Sequence, residues 1–185
     1  MSAELDWAAI YLNYLEALTP TENNLGDVFL QMNGLYYRDQ FSLIYVNDDI
    51  PELIMYGGYG YVGGLALTID GNGTVNELDL YRNACSYLPG ENILDNNAVQ
   101  SGSYHDRIYS IIDGQWTLLA EGSYYGNWDE NDEMYYYDYT WDGTSVTAAE
   151  YDVLVAQYMG LEESSTPDDS YTLEELKDAL ELQRQ

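Results

Sequence analysis

Four aromatic residues, Tyr135, Tyr137, Tyr139 and Trp141, recur at every second position of the chain. On a β-strand, residues two apart project from one face. Such a ladder is either half of a core packed under a helix or an open platform on which sugar rings or peptide segments stack. In the second case Tyr124, Tyr125 and Trp128, from the polar stretch just before it, complete the ligand-binding set. A second constellation is acidic. Asn47, Asp48, Asp49 and Glu52 put several oxygen ligands into one tight corner, the raw material of a calcium site. A solvated turn, whose Asn and Asp side chains bond to local backbone, uses the same residues. The spacing is not that of an EF-hand, which spreads its ligands over about 12 residues. Asp129, Asp132 and Glu133 form a vaguer acidic loop of the same kind. Calcium is the one cofactor these corners suggest.

Catalytic chemistry has little to work with. Cys85 is the single cysteine and His105 the single histidine, so no internal disulfide and no Cys-based zinc site can form. Ser101, Ser103 and Ser123 do not sit in G-x-S-x-G. His105, between Tyr104 and Asp106, reads as a strand-start residue bonded to its neighbours rather than as a general base. The run Gly58-Tyr59-Gly60-Tyr61-Val62-Gly63 matches G-x-G-x-x-G in form. Dinucleotide binding needs a helix after it, whereas residues 65–69 read as strand, and the other signatures of a kinase glycine loop are missing. With 33 acids, the paired carboxylates of a glycan hydrolase can be drawn in very many ways. The pattern therefore argues for a non-enzymatic module, with that hydrolase as the alternative.

The formal net charge of −28 comes from those acids against Arg38, Arg82, Arg107, Lys177 and Arg184. Such a field repels nucleic acid and anionic membrane surfaces. It does not imply disorder, because 46% of the residues are hydrophobic. The core must use tyrosine, since there are 21 Tyr and 4 Trp but 2 Phe. A buried Tyr hydroxyl needs a partner, so many of these rings are expected half-buried. A secreted or surface protein, a protein of a salt-adapted organism and a mimic of nucleic-acid charge are each acidic. The scatter of acids through turns and strand faces favours the first. The salt-adapted reading predicts unfolding at low salt. No segment approaches the ~20 apolar residues of a membrane span. The opening MSAELDW lacks the basic start and apolar core of a signal peptide.

The elements that must position these residues follow from periodicity. Leu5, Ala8, Leu12 and Leu15 fall at helical spacing, so an amphipathic helix is expected over residues 3–18, ended by Thr19-Pro20. Residues 21–40 stay unassigned. Strands are expected at 41–46 and 53–56 around the acidic corner, then at 65–69 and 75–81 around Asp70-Gly71-Asn72-Gly73. Residues 83–103 read as a long loop. Strands at 107–112 and 116–120 flank Asp113-Gly114, and strands at 134–141 and 145–146 flank Asp142-Gly143. Residues 121–133 read as a polar excursion between them. Thr147 with Glu150, and Thr172 with Glu175, are capping boxes that open two helices. Leu173, Leu176 and Leu180 of the second ask for a partner, either the sheet or another molecule.

At residues 43–54, LIYVNDDIPELI, the chain resembles the D-x-N-x-D-G-x-P-E-L pattern of FG-GAP/VCBS-like segments, found in exported or lipid-anchored proteins of gut Firmicutes. IYSIIDGQW (108–116) and YDYTWDGTSVTAAEYD (137–152) look like the same group, in which Asp-Gly hairpins precede a short helix. The resemblance spans residues 41–158. It implies a β-rich extracytoplasmic domain with no assigned enzyme activity. Calcium-binding relatives hold the ion in the acidic loop. Here Ile44 and Val46 stand where the first two ligands would fall, and within the loop Asp48 alone matches.

The expected fold is α+β: an antiparallel meander-like sheet of roughly six to eight strands, with helices 3–18 and 147–158 on one face or end. The expected organisation is one domain over residues 1–160, a polar linker at 161–170 and a loosely attached helix at 171–185. The expected partner is a surface ligand, a polysaccharide or a protein, met outside the cell.

Overall fold

A computed structural model of the chain describes residues 5–18, 38–47, 50–57, 63–82, 84–129, 134–160, 164–167 and 170–184. Helix α1 covers Trp7–Leu18. Strands β1 (Arg38–Ile44), β2 (Glu52–Gly57), β3 (Gly64–Ile69) and β4 (Val75–Leu80) form an antiparallel meander in chain order. A second antiparallel sheet holds β5 (Ser86–Leu88), β6 (Ile93–Asp95), β7 (Ala98–Gln100), β8 (Ser103–Ile112), β9 (Gln115–Asp129), β10 (Met134–Trp141) and β11 (Thr144–Val146). Its order is β11-β10-β9-β8-β6-β5, and β7 pairs with β8 beside β6. Helices α2 (Ala148–Met159) and α3 (Leu173–Leu182) follow. The fold is α+β with antiparallel sheets and flanking helices, as the pattern predicts. No described helix is long and apolar enough to cross a membrane.

The count and grouping of strands differ from expectation: the described residues form eleven strands in two sheets, rather than six to eight in one. Residues 83–103, read as loop, contain three strands of three residues each. They hold because side chains satisfy the backbone between them. Buried Asn96 accepts from the Tyr81 N–H at 2.7 Å and donates to the Ala84 carbonyl at 2.6 Å. Asn92 accepts from the Ile111 N–H at 2.8 Å and donates back to its carbonyl at 2.9 Å. The polar excursion expected from residue 121 is strand as far as Asp129, because β10 pairs with it to that point and β8 flanks its other side as far as Tyr125.

The sheets stack because the first is apolar on both faces. Every residue of β3 is buried. Alternation sends Leu65, Leu67 and Ile69 against α1 and α3, while Ala66, with Ile44 and Ile54, faces Leu94 and Ile111 of the second sheet. The far side of the second sheet presents Ile108, Ala120 and Trp141 to Tyr151 and Met159 of α2. The layers therefore run α1 with α3, first sheet, second sheet, α2. The two helices expected on one face or end are split between opposite outer faces. Fully buried Tyr11 meets its need for a partner by donating to the Pro51 carbonyl at 2.9 Å, with the Leu67 carbonyl at 3.2 Å.

The C-terminal segment is integral rather than loose. Leu176 and Leu180 are fully buried in the core shared with α1 and β1. Ahead of α3 the chain pairs with the edges of both sheets. Tyr171 and Phe41 exchange backbone hydrogen bonds of 2.7 and 3.0 Å, and Ser165 and Tyr87 exchange two of 2.8 Å. Edge strands leave a row of donors and acceptors unpaired, and this strap pairs those of Phe41 on β1 and Tyr87 on β5. The cap of α3 is formed as its sequence predicts: the Thr172 hydroxyl accepts from the Glu175 N–H at 3.3 Å, and the Glu175 carboxylate accepts from the Thr172 N–H at 2.8 Å. Thr172→Ala is expected to cost about 1 kcal/mol, seen as a lower urea midpoint with an unchanged slope.

Candidate ligand-binding site

The register of three strands builds the site. Tyr104 on β8 lies directly opposite Tyr124 on β9, which lies opposite Tyr139 on β10. Cross-strand neighbours on one face are close enough for their rings to meet. Tyr104 stacks on Tyr124 with ring centroids 4.2 Å apart, and Tyr124 on Tyr139 at 4.9 Å. The capping box at Thr147 starts α2 so that its first inward residue, Tyr151, enters this row. Tyr151 sets its edge against Tyr124 at 5.6 Å, Tyr139 at 5.5 Å and Trp141 at 5.5 Å. That approach needs Gly122, opposite Trp141 on β9: a Cβ there would lie 2.5 Å from the indole and 2.8 Å from the Tyr151 ring.

Carboxylates close one end of the row. Asp106, two residues along β8 from Tyr104, accepts the Tyr151 hydroxyl hydrogen bond. Asp106 also shares a hydrogen bond with the buried Asp95 of β6, whose carboxyl accepts from the Arg107 N–H at 3.1 Å. Burial and the Asp106 charge hold the Asp95 carboxyl well above the ordinary carboxylate range. The raised carboxyl favours the protonated form of Asp95, which can donate to Asp106. Burial, then the Tyr104 and Asp106 neighbours, pushes the Tyr124 hydroxyl up to about 12. Burial, then the hydrogen bond to Asp106, raises Tyr151 further. Both phenols stay protonated and able to donate. Tyr124, Tyr139 and Tyr151, with Asp106, Asp152 and Val155, line an open cavity of about 380 Å³ between the sheet and α2. That volume lies in the range of small-molecule sites, ~300–1,000 Å³.

Tyr124, Tyr137, Tyr139 and Trp141 do share one face, and that face divides. Trp141, 6% exposed, is core beneath α2, against Tyr151 and Tyr158. Tyr124 and Tyr139 line the cavity, and Tyr137, 46% exposed, stands beside them with its ring 5.7 Å from Tyr124. Tyr125, 52% exposed, alternates to the opposite face. Trp128 and Tyr135 lie on β9 and β10, and their side chains fall outside the described residues. Tyr104, Tyr151, Asp95, Asp106 and Asp152 belong to the site and come from elements that the spacing of aromatics did not connect.

The acidic corner is built differently. Glu52, 1% exposed, turns inward, and its carboxylate accepts from the Val46 N–H at 2.8 Å. Burial outweighs its backbone donors and pushes its carboxyl up to about 8. Glu52 is thus committed to the turn and does not fit the role of an outward oxygen ligand for calcium. Asp48 and Asp49 fall outside the described residues. The same holds for the Asp129 side chain, for Asp132 and Glu133, and for residues 58–62 of the glycine-rich run. Strand β3 follows that run, as the sequence predicts. Among the described residues, no group of three His, Cys, Asp or Glu side chains can hold a metal ion. His105 packs edge-on to Tyr81 at 5.8 Å. Cys85 is buried 2.9 Å from the Tyr56 hydroxyl, and burial pushes its thiol up to about 11, away from nucleophilic use.

Compared with known protein families, curated proteins and solved structures, the chain matches none.

Proposed function

We propose that the protein is a non-enzymatic binding module of the secreted or cell-surface kind, and that its ligand is a glycan held in the cavity of Tyr124, Tyr139 and Tyr151. The observation that carries this reading is a row of stacked tyrosine rings ending in an open cavity with carboxylates on its wall. Flat apolar ring faces suit the faces of sugar rings, and carboxylate oxygens accept from sugar hydroxyls. Tyrosine offers both, since Tyr124 and Tyr151 keep their protons. The net charge of −28 disfavours polyanionic partners, nucleic acid among them. The acidity, the tyrosine surplus and the FG-GAP/VCBS-like pattern support an extracytoplasmic setting. A panel of β-linked oligosaccharides titrated calorimetrically tests the reading. At least one should bind, and Tyr139→Ala should weaken it roughly tenfold, the worth of one aromatic contact. If no oligosaccharide binds, the reading fails.

One observation favours a second reading, a carboxylate-based glycan hydrolase: Asp106 and Asp152 line the same cavity. The hydrogen-bonded pair Asp95 and Asp106 is too close for that chemistry, which needs carboxyl groups ~5–10 Å apart. Release of reducing ends by the wild type, abolished in Asp106→Asn, would establish it.

A further inference from the structure

We propose that the cavity selects a sugar bearing a protonated amine, so that the ligand is an amino-sugar glycan, with Asp106 and Asp152 as its counter-charges. The proposal rests on the glycan reading above and narrows it to one substrate class.

Among the described residues the cavity wall carries two carboxylates and no cationic side chain. Arg107 follows Asp106 on β8 and therefore alternates to the other face, where its guanidinium reaches Glu121 at 3.8 Å. Of the remaining basic residues with described side-chain partners, Arg184 is engaged by Asp6 at 3.1 Å, and Arg82 lies over the Tyr81 ring. The negative charge at the cavity is thus left for a ligand to neutralise. Asp106 is also held in place, by the Tyr151 hydroxyl on one side and Asp95 on the other. A fixed charge costs little ordering when it meets its partner.

The rings add to this attraction. Tyr124, Tyr139 and Tyr151 meet within 4.9–5.6 Å of one another and around one cavity. A cation within about 6 Å of a ring face is drawn by its quadrupole, more strongly when it is partly desolvated. Tyr124 is stacked on both sides, by Tyr104 and Tyr139, so the attraction falls to Tyr139 and Tyr151. A hydroxyl or an N-acetyl group at the same place can donate to a carboxylate but carries no charge for the carboxylates or the ring field to attract. The overall field of −28 raises the local concentration of a cationic glycan before contact.

Three tetrasaccharides with one β-1,4 backbone separate the alternatives: the glucosamine, N-acetylglucosamine and glucose tetramers. They are titrated calorimetrically at mildly acidic pH, where the sugar amine carries its proton. The glucosamine tetramer is expected to bind at least tenfold tighter than the other two, with the preference shrinking as salt is added. Asp152 is exposed on α2, so Asp152→Asn keeps the fold and should reduce glucosamine-tetramer affinity severalfold more than glucose-tetramer affinity, which shrinks the preference. Equal or tighter binding of the glucose or N-acetylglucosamine tetramer overturns the proposal and leaves the glycan reading standing. No binding of any tetramer or of the wider panel overturns both. Glucosamine-tetramer binding unaffected by Asp152→Asn and Tyr139→Ala is diffuse attraction to an acidic surface, and sinks the proposal. Equal affinity for tetralysine shows that charge alone is read, and also sinks it.

Discussion

Gly122→Ala is expected to loosen α2 from the second sheet and to lower the melting temperature by on the order of 10 °C. The added methyl would sit 2.5 and 2.7 Å from two carbons of the Trp141 ring and 2.8 Å from Tyr151. Neither ring can yield by a rotamer change, because Trp141 is wedged between β9 and Tyr158, and Tyr151 is tied to Asp106. The strain must move α2 or bend β9. Overpacking of this kind costs roughly 1–3 kcal/mol or more, and each kcal/mol lowers the melting temperature by about 2–4 °C in a chain of this size. The cavity changes shape with α2, so any ligand affinity falls with it. Gly71→Ala is the control: its methyl meets nothing within 4 Å, and the shift should stay within roughly 2 °C. Thermal denaturation followed by near-ultraviolet dichroism reads both. A Gly122→Ala protein as stable as the Gly71→Ala control would mean that Trp141 and Tyr151 do not pack against that backbone.

Between about pH 5 and pH 8 the folded state is expected to lose stability as the pH rises, the reverse of ordinary acid denaturation. Burial raises the carboxyl of Glu52 to about 8 and that of Asp95 well above its usual range, whereas both are ordinary carboxyls once unfolded. Within that window the native state therefore binds more protons than the unfolded state. Stability then falls with pH, by up to about 1.4 kcal/mol per unit for each group. Repulsion among the surface acids acts in the same direction. Below the window the trend turns, because Glu150, Glu175 and Asp70 are held below their ordinary values by backbone N–H groups and lose those bonds on protonation. The maximum should lie on the acidic side of neutral. Asp95→Asn isolates one contribution. An amide keeps the acceptor for the Arg107 N–H and donates to Asp106 as the protonated acid does. The variant should be more stable than wild type at pH 8, on the order of 2 kcal/mol, with a shallower slope in urea melts across pH. A variant less stable at pH 8, with the slope unchanged, would show that Asp95 holds no proton in the native protein.

Local signals proved the most legible. The Thr147 and Thr172 capping boxes start α2 and α3 where their residues fall, since a cap depends on a few adjacent side chains. Asp113-Gly114 and Asp142-Gly143 take positive φ at both positions and turn their hairpins accordingly. What escaped depended on distant partners. Strands β5 to β7 are too short to show a period. Residues 121–129 carry loop-like composition, overridden by the β10 ladder as far as Asp129 and the β8 ladder as far as Tyr125. The stacking of two sheets is a matter of which apolar faces meet, which alternation along one strand does not specify. The cavity shows the limit best. Counting back from the Asp113-Gly114 turn pairs Tyr104 with Ser123. A bulge between Ile108 and Tyr109, which leaves Leu119 extra on β9, shifts the register so that Tyr104 meets Tyr124 instead. Nothing in the periodicity announces that bulge, and without it the tyrosine row does not exist. Tyr151 was visible as part of an apolar helix face, but its contacts with Asp106, Tyr124 and Tyr139 arise from tertiary packing alone.

The strap that joins Phe41 to Tyr171 and Tyr87 to Ser165 has a consequence for how the chain is made. A ribosome delivers both sheets and α2 before it delivers residues 165–182. Until then β1 and β5 carry unpaired edges, and the surface that Leu176 and Leu180 will cover stays wet. Contacts across such long stretches of sequence form late and slowly, and exposed edges of this kind recruit other strands. The nascent protein thus passes through a stage at which it is most open to aggregation and proteolysis. Arrival of residues 165–182 acts as a latch that ends that stage by pairing one edge of each sheet, at Phe41 and Tyr87, and covering one core.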